Sequence, residues 1–291
     1  MSGKADAAAS ATIPAMTPPA ALHHIAFYRF VTLPDPDAVA ARLRQLAHGL
    51  TGSILVAEEG INGVLAGAAA ALDAFECALR DDPAFERRFA AIVCKRSGCT
   101  TPPFHRLKVH RKQEIVALGA PPRSGSDNGS GGAIDVNPAE WRRLLAADDV
   151  VLIDNRNSFE YRLGRFKGAI DPQVAHFRDF PAYLAAQAPA WKAAGKRVAM
   201  YCTGGIRCEK TSRALGDLGL DIYQLEGGIL HYFQAMPDAE RDWDGECFVF
   251  DNRIALDTRL RETATTAEDV YRDAPDDAWR LQRARRLDAA G

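Results

Sequence analysis

Cys202 and Arg207 stand with four residues between them in the stretch Y-C-T-G-G-I-R-C-E-K, Tyr201 to Lys210. A cysteine acts as a nucleophile through its thiolate, and the thiolate is favoured where backbone N–H groups, a helix start or a guanidinium face it. This stretch supplies all three. Gly204 and Gly205 let the backbone curl so that successive N–H groups point into the loop, Thr203 and Ile206 complete it, and Arg207 closes it. Glu209 to Leu218 then reads as a helix with Ala214, Leu215 and Leu218 inward. The anion suited to such a cradle is the Cys202 thiolate, or a persulfide carried on it, available to solvent and with a pKa lowered to roughly 3.5–7.5. A lone cysteine at a strand end would pack as a small hydrophobe; the glycines, the arginine and the helix start argue for the reactive reading.

The elements that must hold this loop follow from the apolar pattern. Arg197 to Tyr201 is a short apolar run suited to a buried parallel strand, so Cys202 sits where a strand ends and a helix begins. Val150 to Ile153 is a second such run, ending in Asp154-Asn155-Arg156, and Ile222 to Leu225 a third, turned by Gly227-Gly228 into a helix bearing Leu230, Tyr232 and Phe233. Asn137-Pro138-Ala139-Glu140 carries the signature of a helix start, and Pro181 to Trp191 reads as another helix. Strands alternating with helices predict a parallel sheet whose site lies beyond the strands' carboxyl ends, where Asp154 and Cys202 fall. Asp154, Arg156 and Glu160 either orient a substrate near the thiolate or form ion pairs that fix the loop. The second reading is favoured, because a carboxylate aimed at a thiolate would raise its pKa. Cys208 is read as packing inward at the helix start, with a resolving thiol as the alternative. The six-residue loop headed by its cysteine resembles that of the rhodanese fold, and one residue fewer than in phosphatase-type loops leaves room for a terminal sulfur rather than a phosphoryl group.

The first half has another pattern. Leu22 to Val31 reads as a strand, Ala38 to Leu50 as a helix, and Ser53 to Leu65 as two strands joined through Glu59-Gly60-Ile61-Asn62-Gly63, with Asn-Gly supplying the turn. Ala70 to Asp81 reads as a helix, and Ala90 to Lys95 and Leu107 to Leu118 as further strands. Strand, helix, hairpin, helix, strand is a ferredoxin-like order. Between Ile92 and Gln113 stand Lys95, Arg96, Arg106, Lys108, Arg111 and Lys112 with no Asp or Glu, so this region is either a solvated face or a phosphate-binding surface suited to RNA.

The expected organisation is therefore α/β: a leader without order at 1–20, a ferredoxin-like α+β domain at 21–118, a Gly, Pro and Ser-rich linker at 119–133, a rhodanese-like parallel-sheet domain at 134–240, and a docking segment with a charged tail at 241–291. A formal net charge of -2 argues against bulk attraction to nucleic acid, leaving a local patch. Six irregularly spaced cysteines suggest free thiols in a reducing compartment, no stretch approaches the roughly 20 apolar residues of a membrane span, and the first twenty residues lack a secretion signal, so a cytoplasmic protein without a membrane partner is expected. Cys94 and Cys99 lack a companion pair with ligand spacing, so no metal site is assigned. There is no flavin, nicotinamide or P-loop fingerprint.

Five stretches in one order carry a closer resemblance: G-S-I-L-V-A-E-E-G-I-N-G ending at Gly63, H-R-L-K-V-H-R-K-Q-E-I-V around Lys108, G-A-I-D-P at Gly168 to Pro172, C-T-G-G-I-R-C-E-K from Cys202, and W-D-G-E-C-F-V-F-D-N-R from Trp243. Together they resemble the bacterial rhodanese-domain tRNA uridine hydroxylases over about Ile25 to Leu256. The resemblance implies oxygen-dependent conversion of the wobble uridine of tRNA to 5-hydroxyuridine, with Cys202 required, dioxygen as co-substrate, and an electron or sulfur donor that the sequence does not identify. It also implies that the basic N-terminal domain helps to hold tRNA. Two departures stand out: Asn155 takes the place of a common Thr in the D-x-R motif, and no cysteine follows Cys247, whereas some relatives carry a cysteine-rich extension. A plain sulfurtransferase with a Cys202 persulfide and a non-enzymatic RNA-binding module are the alternative readings.

Overall fold

The computed structural model describes residues 22–119, 133–215, 219–272 and 277–288. The expected leader, nearly all of the linker, and Leu218 lie outside them. The chain builds two sheets in succession. The first half runs β1 (Leu22–Phe30), α1 (Pro36–Leu46), β2 (Thr51–Ala57), β3 (Gly60–Ala68), α2 (Ala69–Asp81), β4 (Cys94–Cys99) and β5 (Leu107–Arg111). Its strands lie in the order β4-β1-β3-β2-β5, antiparallel except where β5 runs parallel to β2. The first four form the ferredoxin-like arrangement, and β5 extends its edge. Asp35 caps α1 by accepting from the Ala38 N–H at 2.9 Å, with Pro36 in the first turn. Leu72, Phe75 and Leu79 recur at helical spacing on α2 and pack with Leu43 of α1 on Ile25, Phe27, Ile54 and Leu65.

Three local expectations change. The hairpin turns at Glu58 and Glu59, not at Asn62-Gly63, which lie inside β3. Gly63 is opposite Phe27, and a Cβ there would fall 2.4 Å from its ring, so this glycine makes room for a core aromatic rather than a turn. The strand expected at Ala90 begins at Cys94, because the Ala90 and Ile92 N–H groups bond back to the Arg87 and Phe89 carbonyls in tight turns. The strand from Leu107 stops at Arg111. Beyond it the Glu114 carboxylate accepts the N–H groups of Leu118 and Gly119 at 3.0 Å each and curls the chain toward the second sheet.

The second half runs β6 (Ile134–Val136), α3 (Pro138–Leu145), β7 (Val150–Asp154), α4 (Ser158–Leu163), β8 (Gly164–Phe166), α5 (Phe180–Ala193), β9 (Arg197–Tyr201), α6 (Ile206–Leu215), β10 (Ile222–Leu225) and α7 (Gly228–Ala235). Strands β6-β10-β9-β7 form a parallel sheet. Trp141, Phe166 and Tyr232 pack on one face and Phe180, Leu184 and Cys208 on the other, so the sheet is covered on both sides. Then come β11 (Trp243–Gly245), antiparallel to β8, the pair β12 (Cys247–Phe248) and β13 (Ala255–Leu256), and helices α8 (Ala267–Tyr271) and α9 (Ala278–Asp288). Trp243 lies in the core of the second half. Helices α8 and α9 give the tail more structure than its composition suggests; Tyr271 anchors it on Phe159 and Phe248. No helix among the described residues is long and apolar enough to cross a membrane.

Candidate active site

Strand β9 sends Val198, Met200 and Cys202 to one face of its sheet and Ala199 and Tyr201 to the other. The chain then turns into α6 through a loop closed by the Gly205 N–H, which donates to Cys202 Sγ at 3.1 Å. Gly205 has φ +98°, outside what other residues adopt readily, whereas a Cβ on Gly204 would meet open space. Only one of the paired glycines is therefore demanded by the loop. Helix α6 begins at Ile206 rather than Glu209, which puts Arg207 and Cys208 in the first turn with their N–H groups toward the sulfur. Burial pushes the Cys202 thiol up. The Cys208 thiol, the Arg207 guanidinium and the N–H groups of Cys208 and Arg207 outweigh it and bring the pKa down from 9 to about 6. Burial, together with the neighbouring Cys202, holds Cys208 well above the usual thiol range, so residue 208 stays protonated and donates while residue 202 ionises.

The expectation of a sulfur available to solvent is not met: Cys202 is 1% exposed. Cys202 lies in the core of the second half with Phe177, Phe180, Met200 and Cys208, and the first sheet sits on the loop it heads. A Cβ on Gly205 would lie 3.1 Å from Tyr28 Oη, Ile206 packs with Phe30, Ala57 and Ile115, and Lys95 Nζ donates to the carbonyls of Gly204 and Gly227. Gly228, at the start of α7, lies so close beneath the loop that a Cβ there would come within 2.5 Å of the Cys202 carbonyl. The Ile229 and Leu230 N–H groups bond the carbonyls of Cys202 and Thr203 at 3.0 and 3.2 Å.

Arg207 is held by Glu160, with Nη1 donating to Oε2 at 2.8 Å, both side chains being buried. Glu160 also accepts the Asn157 N–H at 3.1 Å at the start of α4. The carboxylate grouped in the sequence with Asp154 and Arg156 thus pairs with the loop arginine. Asp154 and Arg156 pair with one another at 2.6 Å, fully buried. Asp154 accepts from Tyr201 Oη at 2.8 Å and Arg156 donates to the Gly164 carbonyl at 2.6 Å. These contacts lie with Tyr201, on the face of the sheet opposite Cys202. Asn155 points to α6, donating to Thr211 Oγ1 at 3.1 Å and, at 3.8 Å, to Cys208 Sγ.

The six basic residues do not share one surface. Lys95 and Arg96 lie on β4 and Lys108 and Arg111 on β5, at opposite edges of the first sheet and about 19 Å apart at the usual strand spacing. Lys95 is engaged with the cysteine loop, Arg96 pairs with Glu76 and Asp73 of α2, and Arg111 reaches Glu58 at 3.3 Å. Among the described residues no carboxylate pairs with Arg106, Lys108 or Lys112. Sequence proximity had grouped charges that the crossing of β4 and β5 to opposite edges separates.

Two family descriptions match the chain, a UPF0176 acylphosphatase-like domain over residues 22–115 and a rhodanese-like domain over residues 137–235. A protein of Nitrobacter winogradskyi named tRNA uridine(34) hydroxylase is 46% identical over 87% of this chain and 98% of its own length. The chain belongs to the tRNA uridine(34) hydroxylase family. Members of the same name from Synechococcus elongatus and Jannaschia sp. are 48% and 44% identical, each over 81% of this chain and over 86% and 76% of their own lengths. Within this family member the residues that sequence reasoning missed come from the first sheet: Tyr28 and the carboxylates Glu59 and Glu114, which meet the fully buried Lys210 of α6. Lys210 itself gives no distinct signal, because α6 also carries Arg207, Glu209 and Arg213.

Proposed function

We propose that this chain hydroxylates C5 of the wobble uridine of tRNA, with Cys202 as the working sulfur. The observation that carries the reading is identity of 46% along 87% of the chain with a relative named for that reaction, spanning both sheets and the cysteine loop between them. The Cys202 environment supports it, since a thiolate formed near pH 6 is present at neutral pH. In a monooxygenase-type step one atom of dioxygen enters the C5–H bond and the other leaves as water, with two protons and two electrons from an external two-electron donor. Cys202 takes part as thiolate, sulfenic acid or persulfide, and the Gly205 amide with the first turn of α6 stabilises negative charge on it or on the oxygen it transfers. Arg106, Lys108 and Lys112 at the β5 edge are the charges proposed to meet the tRNA backbone. Each such contact removed should lower the salt slope of binding by about 0.9.

Mass spectrometry of tRNA nucleosides from cells lacking the protein, complemented with wild type or Cys202→Ala, tests the assignment. Loss of 5-hydroxyuridine, restored by wild type alone, is the expected result. Restoration by Cys202→Ala would end the role given to the sulfur. Unchanged tRNA in the deletion strain would end the hydroxylase reading altogether.

A further inference from the structure

Lys95 is the one residue of the basic stretch whose ammonium is turned into the protein. It leaves β4, the edge strand of the first sheet, and donates to the carbonyls of Gly204 in the cysteine loop and Gly227 in the turn before α7, the latter at 2.9 Å. The Tyr28 ring lies 5.8 Å from the same nitrogen. The Gly204 carbonyl and the Gly205 N–H are the two ends of a single peptide plane. At the far end of that plane the N–H donates to Cys202 Sγ at 3.1 Å. The peptide thus has a cation on its oxygen and a thiolate at its hydrogen.

We propose that Lys95 is a positioning residue for the hydroxylase reaction, acting through the Gly204–Gly205 peptide to hold the N–H that stabilises the Cys202 thiolate. A peptide between two glycines has no side chain to fix its plane, and glycine visits the mirror-image regions of conformational space about as readily as the ordinary ones. Gly204 has open space where a Cβ would be, so no side chain there holds the plane, and at its nitrogen end it is held by the bond to the sulfur and by Gly228 beneath it. An ammonium on the carbonyl oxygen holds the other end of the plane. It also polarises the peptide, so the hydrogen bond at its other end strengthens. By holding Gly227 as well, Lys95 ties the cysteine loop to the turn packed beneath it. Desolvation brings the Lys95 pKa down to about 8, opposed by Cys202, Glu226 and Glu209, so the amine is still mostly charged at neutral pH.

The inference rests on Cys202 being the working sulfur, and its first readout requires no RNA. The thiolate absorbance of the full chain is titrated in the ultraviolet for wild type and Lys95→Met, each as a difference from its Cys202→Ala counterpart, with circular dichroism to establish that each protein is folded. The groups facing the sulfur in that titration are Arg207 and Cys208 of α6, Tyr28 of β1, Lys95 of β4 and Cys247 of β12. The expected result is a midpoint raised by about one unit, a tenfold smaller ratio of thiolate to thiol at a given pH. The pH at which kcat is half-maximal should move up equally, with KM for tRNA unchanged. If methionine at 95 prevents folding, Lys95→Gln, which keeps a donor but not the charge, carries the same comparison with a smaller expected shift. A folded variant with the wild-type midpoint overturns the proposal. So does a raised KM for tRNA with midpoint and kcat profile unmoved, which would make the amine an RNA contact. Restoration of 5-hydroxyuridine by Cys202→Ala would instead end the sulfur's part in the reaction, and Lys95's with it, and leave the titration result standing.

Discussion

Replacing Lys210 with methionine tests the joint between the two sheets. The lysine is fully buried on α6, and its ammonium bonds the Glu59 carboxylate and, at 3.1 Å, that of Glu114. Glu59 follows β2 and Glu114 follows β5, so one cation ties the second sheet to two loops of the first. Methionine fills most of the same volume without the charge, leaving two carboxylates in a site that water barely reaches. Breaking a buried pair by removing one partner costs about 3–5 kcal/mol. Here both acids keep backbone donors, Ile115 for Glu59 at 2.8 Å and Leu118 and Gly119 for Glu114, and the Glu114 side chain is 21% exposed. Those partners place the loss at the low end, about 3 kcal/mol. At about 2–4 °C per kcal/mol for chains approaching this size, the midpoint of thermal unfolding should fall by roughly 6–12 °C. Calorimetry of wild type and Lys210→Met in one buffer at neutral pH measures it. A triple variant that adds Glu59→Gln and Glu114→Gln should recover most of the loss, because neutral amides do not repel. If Lys210→Met melts with the wild type, or the triple variant melts below the single one, the buried-charge argument for the joint is wrong.

Other expectations follow from the loop itself. Thiolate absorbance of wild type, taken as a difference from Cys202→Ala, should rise with pH through about 6 and level off well below the usual thiol midpoint of 9. The depressed pKa also contributes to stability: wild type should gain on Cys202→Ala as pH rises from about 6 toward 9 and lose that advantage as pH falls through 6. Cys208→Ala should raise the Cys202 midpoint by about one unit by removing a donor, and Cys208→Ser should restore most of it; equal midpoints in all three proteins would show that the thiol is mere packing. Gly228→Ala, at φ +70° with a Cβ 2.5 Å from the Cys202 carbonyl, should cost roughly 2–5 kcal/mol in denaturant unfolding, whereas Gly204→Ala, facing open space, should stay within about 0.5 kcal/mol of wild type.

Much of this architecture is legible in the chain because it depends on local pattern. The run R-V-A-M-Y, a cysteine, two glycines and an arginine specify strand, turn and helix from neighbours alone, and the Asn137-Pro138-Glu140 signature appears as a capping box on α3. What the sequence hid depends on contacts across long separations. Asn62-Gly63 has the composition of a turn, yet the bulk of Phe27, on a strand more than thirty residues earlier, is what demands the glycine. Lys95 and Lys108 look like one basic stretch until strand order sends them to opposite edges. Glu160 sits near Asp154 in sequence but is drawn to Arg207 because α4 begins where α6 can reach it. The covering of the loop that Cys202 heads was invisible for the same reason, since Tyr28, Phe30 and Lys95 are remote from it along the chain.

That enclosure changes the account of how the sulfur is ionised. In an open loop Arg207 would face the thiolate with a full charge and water would complete the solvation. Here water is excluded, which opposes ionisation, and Glu160 offsets the positive charge of Arg207. The remaining stabilisation must come from oriented dipoles: the Gly205 amide, the Cys208 thiol and the first N–H groups of α6. Dipoles act only while their geometry is held, and the glycine-rich backbone that lets them converge is the least able to hold itself. The start of α7 holds part of it through the Ile229 and Leu230 N–H groups, and the first sheet holds the rest, with Tyr28 and Lys95 against the loop and Glu59 and Glu114 on Lys210 behind it. The first sheet is therefore part of the thiolate's environment, and a change at the joint between the sheets reaches the sulfur without touching it.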